Sequence, residues 1–243
     1  VAPRLARYAV GGGYTGVLIR STWRGDVRWA RNLVSEVSDV RTNHLLVGRN
    51  INGATNGLVE INETSDAALV AALRRAERLV RLSTEIRGSD IITHWNLEPM
   101  TDPKLFFEAT DQLDAAQRTA AAQRLVRSSV AAGMLWAGYI SVTANSLALL
   151  TSWGALRYCQ YTWAQYSVTV RDPKGTGSGW AGVDWPDWHK VDAERLTATA
   201  LEKCLTSRNP VAVEPGRYET ILEPQAVCDF VRPLVRFLQR YSS

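Results

Sequence analysis

The sequence predicts an α+β fold, a mixed or antiparallel sheet meander with amphipathic helices packed on one face. Three observations lead there. The first sixty residues alternate apolar and polar positions, the stretch from Asp66 switches to a spacing of three to four, and Ala132 to Arg171 returns to strand character. With 243 residues, 46% of them hydrophobic, the chain can bury a sizeable core as one large domain or two small ones.

Taken in order, Tyr14 to Arg20 sets Val17 and Ile19 between more polar positions. Asp26 to Ser35 puts Val27, Trp29, Arg31 and Leu33 on one side, and Val40 to Val47 supplies a third strand. Gly11-Gly12-Gly13, Arg24-Gly25-Asp26 and Ser38-Asp39 are the expected turns. Arg24-Gly25-Asp26 also spells an adhesion tripeptide, but a strand connection accounts for it. From Asp66, Leu69, Leu73, Ala76 and Val80 form the apolar stripe of a helix capped by Ser65, with Arg74, Arg75, Arg78 and Arg81 on its remaining surface. Ile86 to Lys104, with Pro99 and Pro103, has neither period and reads as an irregular connection. Asp111 to Ala131 is a second helix.

Four short strands are expected next, Leu135 to Thr143, Ser146 to Thr151, Arg157 to Thr162 and Tyr166 to Arg171. Asp172-Pro173-Lys174-Gly175 then forces a turn. A helix from Asp192 to Arg208 has Asp192 as its N-cap, Glu194 in its first turn and Pro210 beyond its end. A strand at Tyr218 to Leu222 and a helix from Gln225 to about Arg240, kinked or restarted at Pro233, complete the chain.

The charge of +4 is spread along helix faces rather than clustered, which argues against a nucleic-acid interface. The apolar run from Val130 to Leu150 is too polar to span a bilayer, so no membrane partner is expected. Cys159, Cys204 and Cys228 are odd in number and widely spaced, and Val1-Ala2-Pro3-Arg4 opens no secretory segment. A cytoplasmic location follows as the expectation.

Candidate catalytic and metal-binding residues number none. His44, His94 and His189 lie far apart, and no Ser, Cys or His constellation for nucleophilic catalysis is visible. The candidate substrate-binding residues are Gly177, Ser178, Gly179, Trp180, Trp185 and Trp188. Gly175-Thr176-Gly177-Ser178-Gly179 lacks the following lysine and hydroxyl of a phosphate loop and reads as a mobile hairpin loop. The tryptophans read first as a packed buttress, and secondly as an apolar wall for an unfolded peptide or an aromatic ligand, with Asp184 and Asp187 available to a basic side chain.

The order of parts from Gln165 to Pro224, a strand, a glycine-rich turn, a tryptophan cluster, a helix and a strand, resembles the TldD/PmbA family of metallopeptidase-related proteins once described as modulators of DNA gyrase. Glu214-Pro215-Gly216-Arg217-Tyr218 running into Thr220-Ile221-Leu222-Glu223-Pro224 looks like that family's joint between its two domains. Asp26 to Asn32 followed by Asp39-Val40-Arg41 looks like its early meander, and Ala131-Ala132-Gly133 with Trp136 to Tyr139, then Asn145-Ser146 and Tyr166 to Val170, is similar to its central strands, so the resemblance covers most of the chain. It implies an amino-terminal α+β domain over residues 1–222, with 223–243 leading toward a carboxy-terminal domain that is absent. It further implies a homologous partner subunit in a homo- or heterodimer and an unfolded or modified peptide as substrate. The family's zinc motif, His-Glu-x-x-x-His, does not occur in this chain. Zinc is therefore expected in the absent domain or the partner, with no cofactor in this chain. Two alternatives stay open, a non-catalytic scaffold that never binds metal and a small-molecule binder built on the tryptophan loop.

Overall fold

The computed structural model describes residues 13–51, 56–82, 104–152 and 155–240. Gly11 and Gly12, His94 and nearly all of the expected connection from Ile86 fall outside them. The chain divides after Asn209 into two compact units.

The first unit is built on a six-stranded sheet of order β3-β2-β1-β4-β5-β6. Its strands are β1 (Tyr14–Ala30), β2 (Leu33–Asn50), β3 (Asn56–Ile61), β4 (Leu135–Thr151), β5 (Leu156–Arg171) and β6 (Ser178–Trp185), and every pairing is antiparallel. Helices α1 (Asp66–Leu82), α2 (Glu108–Asp111), α3 (Ala115–Ala131) and α4 (Ala193–Thr206) and a 3₁₀ turn at Trp188–Lys190 accompany it. This is the expected α+β class.

The strands run longer than expected. Arg24-Gly25-Asp26 is not a turn but the middle of β1, and Ser38-Asp39 lies within β2. The hairpin turns instead at Arg31-Asn32, whose φ angles of 50° and 64° are those of a two-residue mirror-image turn that follows strand twist. The four runs expected after Ala132 are likewise two strands, β4 and β5. One cause serves both corrections. Arg24, Asp26, Thr143 and Asn145 occupy a face on which none of the first unit's described helices packs, and Asp39 lies on the other face beneath α3, so these polar residues do not end the strands. Charged residues in mid-strand find partners: Asp39 accepts from Arg118 at 2.9 Å and Asp26 from Arg24 at 2.8 Å.

The expected caps are present at Ser65, whose hydroxyl accepts from Ala68 N, and at Asp192, whose carboxylate accepts from Arg195 N at 2.9 Å. The helix expected from Asp111 is broken at Gln112–Asp114. There Asp114 and Gln117 cap each other reciprocally and start α3 afresh.

Side-chain alternation puts α1, α3 and α4 on one face. Val17, Val27 and Trp29, at odd positions of the unbroken β1 ladder with β4, point the same way. At one end Val17, Leu45, Val47 and Val59 meet Leu69, Ala72, Leu73 and Ala76 of α1. At the other, Val27, Trp29, Trp136, Ile140, Tyr166 and Val168 meet Leu125 of α3 and Ala200 and Cys204 of α4. The opposite face carries Arg20, Thr22, Arg24, Thr143, Asn145, Tyr161 and Trp163.

In the second unit α5 (Pro224–Arg240) runs through Pro233 as one helix, and its Phe230, Leu234 and Phe237 are exposed. Tyr218 to Leu222 is not a strand.

Candidate functional site

The β5–β6 hairpin holds the candidate residues from Gly177 to Trp185, and Trp188 follows in the 3₁₀ turn. Asp172 organises the turn. Its carboxylate accepts from Lys174 N at 3.1 Å and from the Thr176 hydroxyl at 3.0 Å, and the Arg208 guanidinium lies 3.1 Å away. These interactions, led by the Lys174 backbone N–H, hold the Asp172 carboxyl below the usual carboxylate range. The loop read from sequence as mobile is thus tied at its base to α4's end.

Gly177 and Gly179 are buried where α4 crosses β6. A Cβ on Gly177 would collide with the Cys204 carbonyl, and one on Gly179 with the Ala200 carbonyl. The glycines serve a close approach of helix and strand backbones. Ser178 between them is bonded on both sides of its peptide: its N–H donates to the Ser207 hydroxyl, which donates in turn to the Ser178 carbonyl, both at 3.0 Å. Lys203 Nζ donates to the Trp180 carbonyl at 3.1 Å. Helix α4 therefore closes this part of the β6 edge.

The three tryptophans do not form one wall. Register places Trp180 opposite Thr169 on the helix-free face and Trp185 opposite Ala164 on the helix-bearing face. Trp180 is 36% exposed; its indole lies over Gly182 and donates to the Ser167 hydroxyl at 3.0 Å, which fixes a rigid aromatic plane. Trp185 is 49% exposed at the end of β6. Trp188 packs against the larger core, and its backbone N–H donates to the Thr110 hydroxyl at 2.8 Å. The sequence reading missed Tyr161 and Trp163. They alternate on the same face as Trp180, a period-2 pattern hidden by the supposed strand break.

Beneath the hairpin, the Thr197 hydroxyl donates to the Ala193 carbonyl, so the Tyr166 hydroxyl donates to Thr197. Burial pushes the Tyr166 phenol up to about 12, which keeps it neutral, a strut and not an acid–base group at ordinary pH.

Among solved structures, the chain superposes on a candidate modulator of DNA gyrase from Bacteroides thetaiotaomicron with a TM-score of 0.77 over 97% of its length, at 14% identity. It matches TldE from Thermococcus kodakarensis at 0.64 over 83%, with 12% identity, and a candidate gyrase modulator from Thermotoga maritima at 0.64 over 79%, with 10% identity. The chain has the TldE and gyrase-modulator fold. The TldD/PmbA resemblance read from the sequence thus holds at the level of the fold. No protein-family model and no curated protein matches the sequence. The chain spans about half the length of the TldE and gyrase-modulator structures, covering 45%, 44% and 55% of them.

His44 Nδ1 lies 2.9 Å from Glu60 Oε1, and His189 Nδ1 lies 3.8 Å from Asp187 Oδ1. Among the described residues no three His, Cys, Asp or Glu side chains gather as a metal needs, so these residues do not fit a zinc centre. No helix there is long and apolar enough to cross a membrane.

Proposed function

We propose that the chain is the amino-terminal portion of a TldD/PmbA-like metallopeptidase-complex subunit. In this reading it contributes dimer assembly with a homologous subunit and one wall of a channel for unfolded or modified peptides. Zinc and the hydrolytic step belong to the rest of such a protein or to its partner. The observation that carries the reading is the superposition of 97% of this chain on 55% of the gyrase-modulator chain, so that the chain corresponds to about half of that architecture. The helix-free face supports it, because Tyr161, Trp163 and Trp180 offer exposed aromatic surface beside Thr143, Gln165 and Thr169. Such a surface suits a chain of varied sequence, with aromatic planes for apolar side chains and hydroxyl and amide groups for backbone.

Titration of the purified chain into a fluorescein-labelled unstructured peptide, with and without added zinc, tests this. The expected result is a saturable rise in anisotropy, no cleavage, and several-fold weaker binding by Trp180→Ala. Stoichiometric zinc on the chain with unaided cleavage of the peptide would place the chemistry in this portion and overturn the assignment. A chain that binds no peptide would remove the channel wall.

A further inference from the structure

Thr162 shares the helix-bearing face of β5 with Ala164 and Tyr166, and its hydroxyl pins two separate segments. It accepts from Phe107 N at 3.0 Å and donates to the Pro186 carbonyl at 2.9 Å. The buried Thr110 hydroxyl joins the same segments again, donating to the Pro186 carbonyl at 2.9 Å and accepting from the Trp188 backbone N–H at 2.8 Å. An open cavity of about 680 Å³ lies where they meet. Its lining includes the rings of Phe107 and Trp188, the Glu108 and Asp187 carboxylates and the Gln112 side chain. Both aromatic residues are thus held through their backbones, which leaves their rings free for a ligand.

The polar groups of this cavity are mostly idle. Asp187 Oδ1 accepts from His189 N at 3.0 Å, which caps the 3₁₀ turn, and His189 Nδ1 lies 3.8 Å from it. Among the described residues Asp187 Oδ2, the Glu108 carboxylate and the Gln112 side chain make no hydrogen bond or ion pair. The Asp187 side chain is 14% exposed, so its unused oxygen is largely withdrawn from water and gains more than a surface carboxylate from a cationic donor. The chain carries a charge of +4, yet from Glu108 to Asp114 it holds Glu108, Asp111 and Asp114 and no basic residue.

We propose that this cavity binds a guanidinium cation, such as the side chain of an arginine. The inference goes beyond the peptide-channel reading and does not rest on it, because the cavity hangs from the helix-bearing side of the sheet and the proposed channel wall is the other face. Glu108 and Asp187 supply the charge, the Gln112 side-chain oxygen accepts a remaining N–H, and Phe107 and Trp188 supply π surface. A guanidinium suits these groups better than an ammonium: it is planar and weakly hydrated, so it stacks on a ring while its edge donates to carboxylates. A metal ion does not suit them, since no three His, Cys, Asp or Glu side chains gather among the described residues.

Titration of the full chain, followed at the Trp188 indole N–H resonance, tests this with N-acetyl-arginine amide and its lysine and citrulline counterparts. The arginine probe should give a saturable shift, the lysine probe should bind several-fold more weakly, and neutral citrulline should not bind. Glu108→Gln and Asp187→Asn remove charge and keep shape, and Asp187→Asn retains the oxygen that caps the turn; each should weaken arginine binding by about two- to fivefold. Added salt should weaken it as well. An arginine within a glycine–serine peptide that binds about tenfold more tightly than the amide identifies a polypeptide as the source of the cation, and equal affinities identify a small guanidine; both uphold the site. Citrulline binding as well as arginine, wild-type affinity in both variants, or no shift at Trp188 overturns it. The contrast between arginine and citrulline on the wild-type chain decides the matter even where a variant folds poorly.

Discussion

The two ends of the sheet are packed by different means. Where α1 lies on β1, β2 and β3, the core is small and aliphatic, made of valine, leucine and alanine, and the helix comes so close that a Cβ on Gly57 would strike the Ala76 carbonyl. One buried ion pair, Arg49 with Glu77 at 3.5 Å, accompanies it. Where α3 and α4 lie, the core holds Trp29, Trp136 and Tyr166, and polar ties join helix to strand: Tyr166 to Thr197, Ser207 to Ser178, Arg208 to Asp172. Aliphatic packing fixes distance but tolerates sliding, whereas directional bonds fix register. Candidate binding residues sit at the end whose register is fixed.

That contrast can be broken by mutation. Trp29→Ala at the aromatic end and Leu73→Ala at the aliphatic end remove fully enclosed side chains, and each should cost about 3–5 kcal/mol in chemical denaturation. If the two cores are separate, the double variant should lose the sum within about 0.5 kcal/mol; a large coupling energy would show that the sheet transmits strain between them. Gly179→Ala and Gly57→Ala each force a helix off its strand and should cost about 1–3 kcal/mol. Only Gly179→Ala should also alter Trp180 fluorescence, because α4 holds the Trp180 carbonyl.

A smaller effect is expected from Ser207→Ala, about 1 kcal/mol, with faster exchange of the Ser178 amide and no change at the α1 end. The smallest concerns acid. Asp172 titrates below its ordinary value near 3.8 in the folded state, so its stabilising contribution is complete above that value and is lost as the pH falls through the lower, folded one. Asp172→Asn should flatten the fall in stability on the acid side of the ordinary value near 3.8 while leaving the α1 end unaffected; an unchanged acid limb would show that the turn's carboxylate does not differ between folded and unfolded chains.

The caps at Ser65 and Asp192, α1 and α4, and the turn at Asp172 were legible because each depends on neighbours within four residues. The hairpin at Arg31-Asn32 was not: arginine carries no turn signal, and its positive φ is imposed by the pairing of two long strands. Gly177 and Gly179 read as loop residues because the reason for them, Cys204 and Ala200 of α4, lies more than twenty residues away in the chain and touches them only after folding. The strands past Gly25 and Asn145 were cut short because the polar face of a one-sided sheet imitates a loop.

Asn32 does more than complete a turn. Its side-chain N–H donates to the Met134 carbonyl, its side-chain oxygen accepts from Trp136 N, and its own backbone N–H donates to the Trp136 carbonyl, at 2.8, 2.8 and 3.2 Å, across about a hundred residues of sequence. The hairpin it terminates forms from neighbours in the chain, whereas β4 must arrive from far away. An asparagine already oriented by the hairpin is a mooring for that late strand, setting its phase before the rest of the ladder closes. In Asn32→Ala the cost should therefore fall on the refolding rate while unfolding changes little, which stopped-flow measurement of both limbs would show.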